Sequence, residues 1–395
     1  MTLRVGIDIR TAAATEPGQQ RYLWRLGEWI GSLGHEVAFL TVRNQPEDIE
    51  SPAGTTLHRL AELSVPGIRR HVTELALDAL LLNPERARRY RGVGANVLRA
   101  GYGTEHYVQN LRSVRNPLAR SLRTAARLAP WTLADLHWER RFYEAPDPAP
   151  DVVAQSVYMK DLILGSYRIP EDHIHLVPNA IDTSEYNPER RAALRDEMRA
   201  RWEIPPEAVC LLFLGHNFRR KGLWELLDAL PRLTDTSRPV HLLVAGKGTG
   251  NRQRKSARAR VEALGIADRV HFAGPVRPSV QAIAAADALV FLSWHDAFGW
   301  VTIEAMGCGL PVVTTPYAGS SELIRHGETG FVVDPADDGA VEAAFRALLD
   351  DGSRQRIGVA AAEVAAKLDE PRNFAQVFDV MQTAAARGRG PVRAL

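Results

Sequence analysis

The sequence predicts an α/β protein made of two doubly wound domains that face each other across a cleft. Three observations predict it. The 395 residues exceed what one core usually fills, so two domains are expected. Short apolar runs alternate with segments of helical periodicity at the start of the chain and again beyond Val209, the pattern of parallel sheets wrapped by helices. Between the two series, a polar and charged stretch from Thr183 to Trp202 reads as the connection.

Residues 3–9 are a short apolar run with Val and Ile, ended by Arg10 and Thr11, and read as a buried parallel strand. After a loop through Pro17 and Gly18, the residues Tyr22, Leu23, Leu26, Trp29, Ile30 and Leu33 recur at helical spacing. Gly34 and His35 stop that helix, and 37–42 is a second strand, completing a βαβ unit. From 43 to 148 the chain shows helical segments and no clear strand series. Strand signals return at 152–154 and 175–177. In the second series, strands are expected at 209–214, 240–245, 270–272, 288–292, 311–314 and 330–333. Helices are expected between them at 223–233, 251–264, 279–286, 300–306 and 320–324, with a closing helix at 338–349. A last helix near 373–385 crosses back to the first domain, and 387–395 is expected to fray. The expected domains are therefore 1–195, completed by the helix at 373–386, and 196–372. Ligands of such sheets bind beyond the carboxyl ends of the strands, which here means the cleft.

The composition, 45% hydrophobic and 24% charged, is that of an ordinary globular protein. A formal net charge of +2 makes no case for a nucleic-acid partner. Cys210 and Cys308 both lie in apolar surroundings, which argues against a disulfide framework and for a reducing compartment. The opening residues Met1 to Asp8 are too short and charged a run for a signal peptide. The longest apolar run, near 75–82, contains Asp78 and falls short of the roughly 20 apolar residues of a membrane span. A cytoplasmic location is expected.

Three loops carry the chemistry. In the segment 293–309, a strand end leads through Asp296, Phe298 and Gly299 into a helix. The first amides of a helix lack internal partners and, with the dipole, favour an anion such as a diphosphate. Gly299 allows close backbone approach, and Glu304 can accept hydrogen bonds from a ribose diol. In 213–222, a strand end meets Arg219, Arg220 and Lys221 before Gly222 and a helix; arginine can grip a pyrophosphate with two bonds while lysine acts as a point charge. Taken singly, the first segment also reads as a solvent-facing helix after a glycine turn and the second as a solvated basic loop. The third, 244–250, has the glycines of a dinucleotide loop, but its last glycine is misplaced and no ribose-binding acid follows the next strand.

Together these pieces resemble the retaining glycosyltransferases of family 4, with the GT-B fold, a group that includes sucrose synthase, mannosyltransferases and lipopolysaccharide core glucosyltransferases. The resemblance rests on 177–182 (Val-Pro-Asn-Ala-Ile-Asp), 154–156 (Ala-Gln-Ser), 319–322 (Gly-Ser-Ser-Glu) and 330–333 (Gly-Phe-Val-Val), in order and spacing. The segments 216–222 and 100–106 are nearer to the lipopolysaccharide core branch. By matching position, the resemblance implies that Arg220 and Lys221 hold the donor diphosphate and Glu304 the ribose. It implies that Asp296, Phe298 and Gly299, with Trp300 and Val301 behind them, contact the sugar and phosphates. Val276 and Arg277 would border the base, His106 would reach in from the first domain, and Gly18 would lie under the phosphates. The implied reaction moves a hexose from a nucleoside-diphosphate sugar, UDP-linked for preference, to a hydroxyl with the anomeric configuration kept. It needs no cofactor, and no His/Cys/Asp cluster has metal-ligand spacing.

The chain departs from the family at Asp296, where Glu is usual, about 1.5 Å shorter. The glycine pair of the first domain is reduced to Gly18 followed by Gln19, and Ala180 replaces a glycine. From 86 to 141 arginines crowd among leucines and tryptophans with few acids, a surface suited to anionic lipids or to a phosphorylated acceptor, or a solvated face. The expected acceptor is a glycan, a lipid-linked sugar or a lipopolysaccharide core, with peripheral contact to the inner face of the membrane. Rival readings are an enzyme acting on a soluble natural product, an inactive binding subunit, and a sugar-nucleotide epimerase.

Overall fold

The structure is a computed structural model and describes residues 4–8, 17–42, 55–60, 94–99, 143–144, 151–233, 236–248, 250–386 and 392–394. The first domain opens with β1 (Arg4–Asp8), α1 (Pro17–Ser32) and β2 (Glu36–Val42), as the apolar periodicity requires. Two strands follow that the sequence did not disclose, β3 (Thr55–Leu60) and β4 (Gly94–Arg99). Then come β5 (Asp151–Ala154), α2 (Val157–Ser166) and β6 (Ile174–Leu176). Ser156 caps α2 by accepting the Met159 N–H at 3.1 Å.

The second domain is entered through α3 (Pro188–Arg201), which Asn187 caps by accepting the Arg190 N–H at 2.7 Å. The stretch read as a connection is thus a helix, and the expected limit between 195 and 196 falls inside it. Its Arg195 and Arg199 bond Asp287 at 2.6 and 3.2 Å, and Asp287 also accepts the Cys210 N–H at 2.8 Å, which ties α3 to the second sheet. That sheet alternates β7 (Val209–Leu214), α4 (Leu223–Ala229), β8 (Val240–Ala245), α5 (Asn251–Ala263), β9 (Val270–Gly274), α6 (Val280–Ala285), β10 (Ala288–Val290), α7 (Trp300–Gly307), β11 (Val312–Thr314) and β12 (Phe331–Val332). It is followed by α8 (Asp338–Ala347) and α9 (Asp351–Ala365); α9 had no place in the sequence reading. Every residue of β7 and β8 is buried, as expected of central strands covered on both faces.

The chain returns through α10 (Glu370–Ala386), whose Phe374, Val377, Phe378 and Met381 pack with Val5, Ile7, Leu26 and Phe39 of the first domain. The tail expected to fray is instead paired: β13 (Val392–Ala394) lies between β1 and β4, parallel to both. Among the described residues the first sheet runs β3-β2-β1-β13-β4-β5-β6 and the second β12-β11-β10-β7-β8-β9. All strand pairs are parallel, so each carboxyl edge gathers the loops that follow its strands.

Candidate active site

In the second sheet the chain runs outward from β7 to β8 and β9, then returns to β10 on the other side of β7. The strand order reverses between β7 and β10, the place at which parallel sheets of this kind form a ligand-binding crevice. Those loops are the ones carrying the basic triplet and Asp296. They are laced together: the Trp294 N–H donates to Arg220 O at 2.8 Å, and Arg220 Nη1 donates to His295 O at 3.1 Å. Gly222 closes the first loop with φ of +79°, and a Cβ there would stand 2.0 Å from Leu292 O, so the close approach of the two loops needs glycine. Gly299 closes the second with φ of +90°, directly before α7.

At the crevice Asp296, 9% exposed, forms an ion pair with Lys221 Nζ and lies 3.7 Å from Arg220 Nη1. Its Oδ1 accepts the Phe298 N–H at 3.3 Å. Burial opposes ionisation of Asp296, but Lys221 and Arg220 outweigh it and hold the carboxyl below its ordinary value. The Lys221 ammonium also sits 4.7 Å from the centre of the Phe291 ring. The structure therefore brings Arg220, Lys221, Asp296, Phe298 and Gly299 together. The shorter Asp reaches the cations from a loop that bonds to Tyr317 O through the Asp296 N–H at 2.9 Å.

Glu304 stands in α7, half-buried. Its Oε2 accepts the Ser279 hydroxyl at 2.9 Å, and burial pushes its carboxyl up to about 6. Ser279 belongs to the loop after β9 that carries Val276 and Arg277, so the segment expected beside the base is tied to the residue expected at the ribose. Val276 and Val301 pack on the core beneath, and Arg277 is exposed. The Trp300 side chain holds the seam between domains: its indole donates to Ala180 O at 3.0 Å and its ring lies 5.7 Å from that of Tyr22. Gly18 lies in the first turn of α1. His106 lies outside the described residues, as does the arginine-rich stretch 86–141 apart from β4.

Further residues complete the picture. His216 is half-buried near Lys221; burial holds its imidazole below the ordinary value, with Lys247, Arg277 and Lys221 adding repulsion. From the first domain, Ser156 Oγ donates to Ala297 O at 2.9 Å, the Tyr158 N–H donates to Glu322 Oε1 at 2.8 Å, and Tyr158 Oη lies 2.7 Å from His295 Nδ1. Both resemblance segments at 154–156 and 319–322 thus meet across the cleft, on the loop that carries Asp296. Among the described residues no three His, Cys, Asp or Glu side chains cluster as metal ligands, and no helix is long and apolar enough to cross a membrane.

Comparison with known proteins shows the family and the fold. The model of Glycosyltransferase Family 4 matches residues 18–185, and that of Glycosyl transferases group 1 matches residues 195–364, together most of the chain. The chain belongs to glycosyltransferase family 4. It is 26% identical to a D-inositol 3-phosphate glycosyltransferase of Acidothermus cellulolyticus over 370 residues, 86% of this chain and 80% of that one. Among solved structures it matches WaaG, a glycosyltransferase involved in lipopolysaccharide biosynthesis, with a TM-score of 0.77 at 21% identity, covering 95% of this chain and 99% of that one. It also matches Anabaena HepE in complex with UDP and glucose, with a TM-score of 0.71 at 18% identity, over 97% and 100% of the two chains. The fold of this glycosyltransferase is GT-B, two Rossmann-like domains. The family match supports the enzyme class and does not single out the lipopolysaccharide branch.

Proposed function

We propose that the protein moves a hexose from a nucleoside-diphosphate sugar, UDP-linked for preference, to a hydroxyl of a phosphorylated or lipid-linked acceptor, keeping the anomeric configuration. The observation that carries this reading is the meeting of Lys221, Arg220 and Asp296 at the strand-order reversal, with Glu304 on the helix that begins beside them. In this reading the diphosphate takes over the two cations that Asp296 engages. The bond from the anomeric carbon to the phosphate oxygen breaks with its electron pair going to the diphosphate. The acceptor oxygen attacks the same face, and its proton passes to the departing phosphate oxygen. The protein's part is to stabilise the charge that develops on that diphosphate, which Arg220 and Lys221 are placed to do without acid–base chemistry or a metal of their own. Support for a phosphorylated acceptor comes from the inositol phosphate relative and from the arginines of 86–141.

The test is transfer from UDP-, GDP- and ADP-linked hexoses to phosphorylated polyols, read as release of nucleoside diphosphate. Lys221→Ala at saturating donor should lower turnover by about a hundredfold or more. Near-normal turnover of that variant, or no release from any donor by the wild type, overturns the reading.

A further inference from the structure

Glu304 does not stand alone. Ser279 gives its single hydroxyl proton to Glu304 Oε2 at 2.9 Å, and its oxygen lies 2.7 Å from Tyr186 Oη. With that proton committed, the phenol must be the donor in the second bond. Burial pushes the Tyr186 phenol well above its ordinary value, with the Glu304 charge adding to the effect, so it keeps its proton at any working pH. A directed chain therefore runs from Tyr186 through Ser279 to the carboxylate. Its members come from three places far apart in sequence: the turn before α3, the loop after β9, and α7. Arg21 of the first domain's α1 covers the chain, its guanidinium 6.0 Å from the Tyr186 ring centre and 2.6 Å from Glu185 Oε2.

Burying three polar groups in a row costs free energy unless they satisfy one another, which the chain from Tyr186 through Ser279 to Glu304 does. A glutamate on a helix has a free terminal torsion, and a diol needs an acceptor at one place. The Ser279 hydroxyl, bonded to Oε2, fixes the plane in which the Glu304 carboxylate lies. We propose that Ser279 and Tyr186 are positioning residues that orient Glu304 toward a ribose diol, and that this chain sets the preference for ribonucleotide over deoxyribonucleotide donors. The inference rests on the reading of Glu304 as the ribose acceptor.

Calorimetric titration with UDP, GDP and ADP and the 2′-deoxy form of each tests it on the full chain, using the base that binds tightest. Wild type should favour the ribonucleotide by about tenfold or more, the worth of one hydrogen bond to an ionised acceptor. Ser279→Ala and Tyr186→Phe should bring that ratio within about threefold of unity with the deoxy form bound as before, while Ser279→Thr, which keeps the hydroxyl, restores it. Loss of both affinities in parallel, or an unchanged ratio in Tyr186→Phe, overturns the positioning role. A wild type that binds both forms equally overturns the ribose role of Glu304 instead. Circular dichroism identifies a variant that fails to fold, and Tyr186→Phe, which removes one oxygen atom, then carries the test.

Discussion

Replacing Lys221 by methionine removes the ammonium, which sits 4.7 Å from the centre of the Phe291 ring, and keeps an apolar stem of similar length. It leaves Asp296, 9% exposed, with only Arg220 at 3.7 Å and the Phe298 N–H at 3.3 Å. Breaking a buried ion pair by removing one partner costs about 3–5 kcal/mol; with Arg220 remaining, we expect about 2–3 kcal/mol here. Asp296→Asn in the same chain removes the stranded charge, so the double variant should be more stable than Lys221→Met alone. The coupling should be at least about 1.5 kcal/mol. The assay is urea unfolding followed by tryptophan fluorescence, to which both domains contribute, with each transition fitted separately since two domains need not unfold in one step. Turnover separates the roles: the double variant recovers stability and stays inactive, because the cation that stabilises the leaving diphosphate is still missing. Additive effects of the two substitutions, within about 0.5 kcal/mol, would refute the coupling on which the site's geometry depends.

Two more predictions concern the frame that holds the site. Burial pushes the Glu370 carboxyl up to about 7 against the pull of Arg25, whose Nε lies 2.8 Å from Oε2. A folded value above the ordinary 4.5 means that this group's contribution to stability is fully present below 4.5 and is lost as pH rises through about 7. Glu370→Gln should therefore flatten the fall of Tm across that window, and parallel Tm curves for the two proteins would contradict the sign. Gly222→Ala places a Cβ 2.0 Å from Leu292 O in a left-handed backbone conformation, so it should cost at least about 2 kcal/mol and lower donor affinity with it. A variant of unchanged Tm and affinity would show that the two loops can part.

The apolar runs at 209–214 and 240–245 declare buried strands because continuous Val and Leu has no other home in an α/β protein. The loops that end in Gly222 and Gly299 declare themselves as well, since only a backbone free of Cβ closes both turns. Arg220, Lys221, Asp296 and Glu304 stood in suggestive loops and were singled out by the resemblance, and the structure gathers the first three. By contrast β3 reads Thr-Thr-Leu-His-Arg-Leu and β13 is three residues long. Neither carries a hydrophobic pattern of its own; each is a strand because a neighbouring strand offers it hydrogen bonds. The resemblance named Trp300 without saying where its indole goes; tertiary packing turned it onto Ala180 O, where the N–H finds an acceptor.

By itself, then, the order of residues determined the two-domain α/β plan, the basic loop and the acid-bearing helix, because periodicity, glycine turns and charge are local properties of the chain. Only the tertiary structure decided that Asp296 pairs with Lys221, 75 residues away, and that Tyr186 reaches Ser279 across 93. Such contacts depend on which strands become neighbours, and that choice is made by pairing and burial over the whole sheet, which no short window of sequence contains.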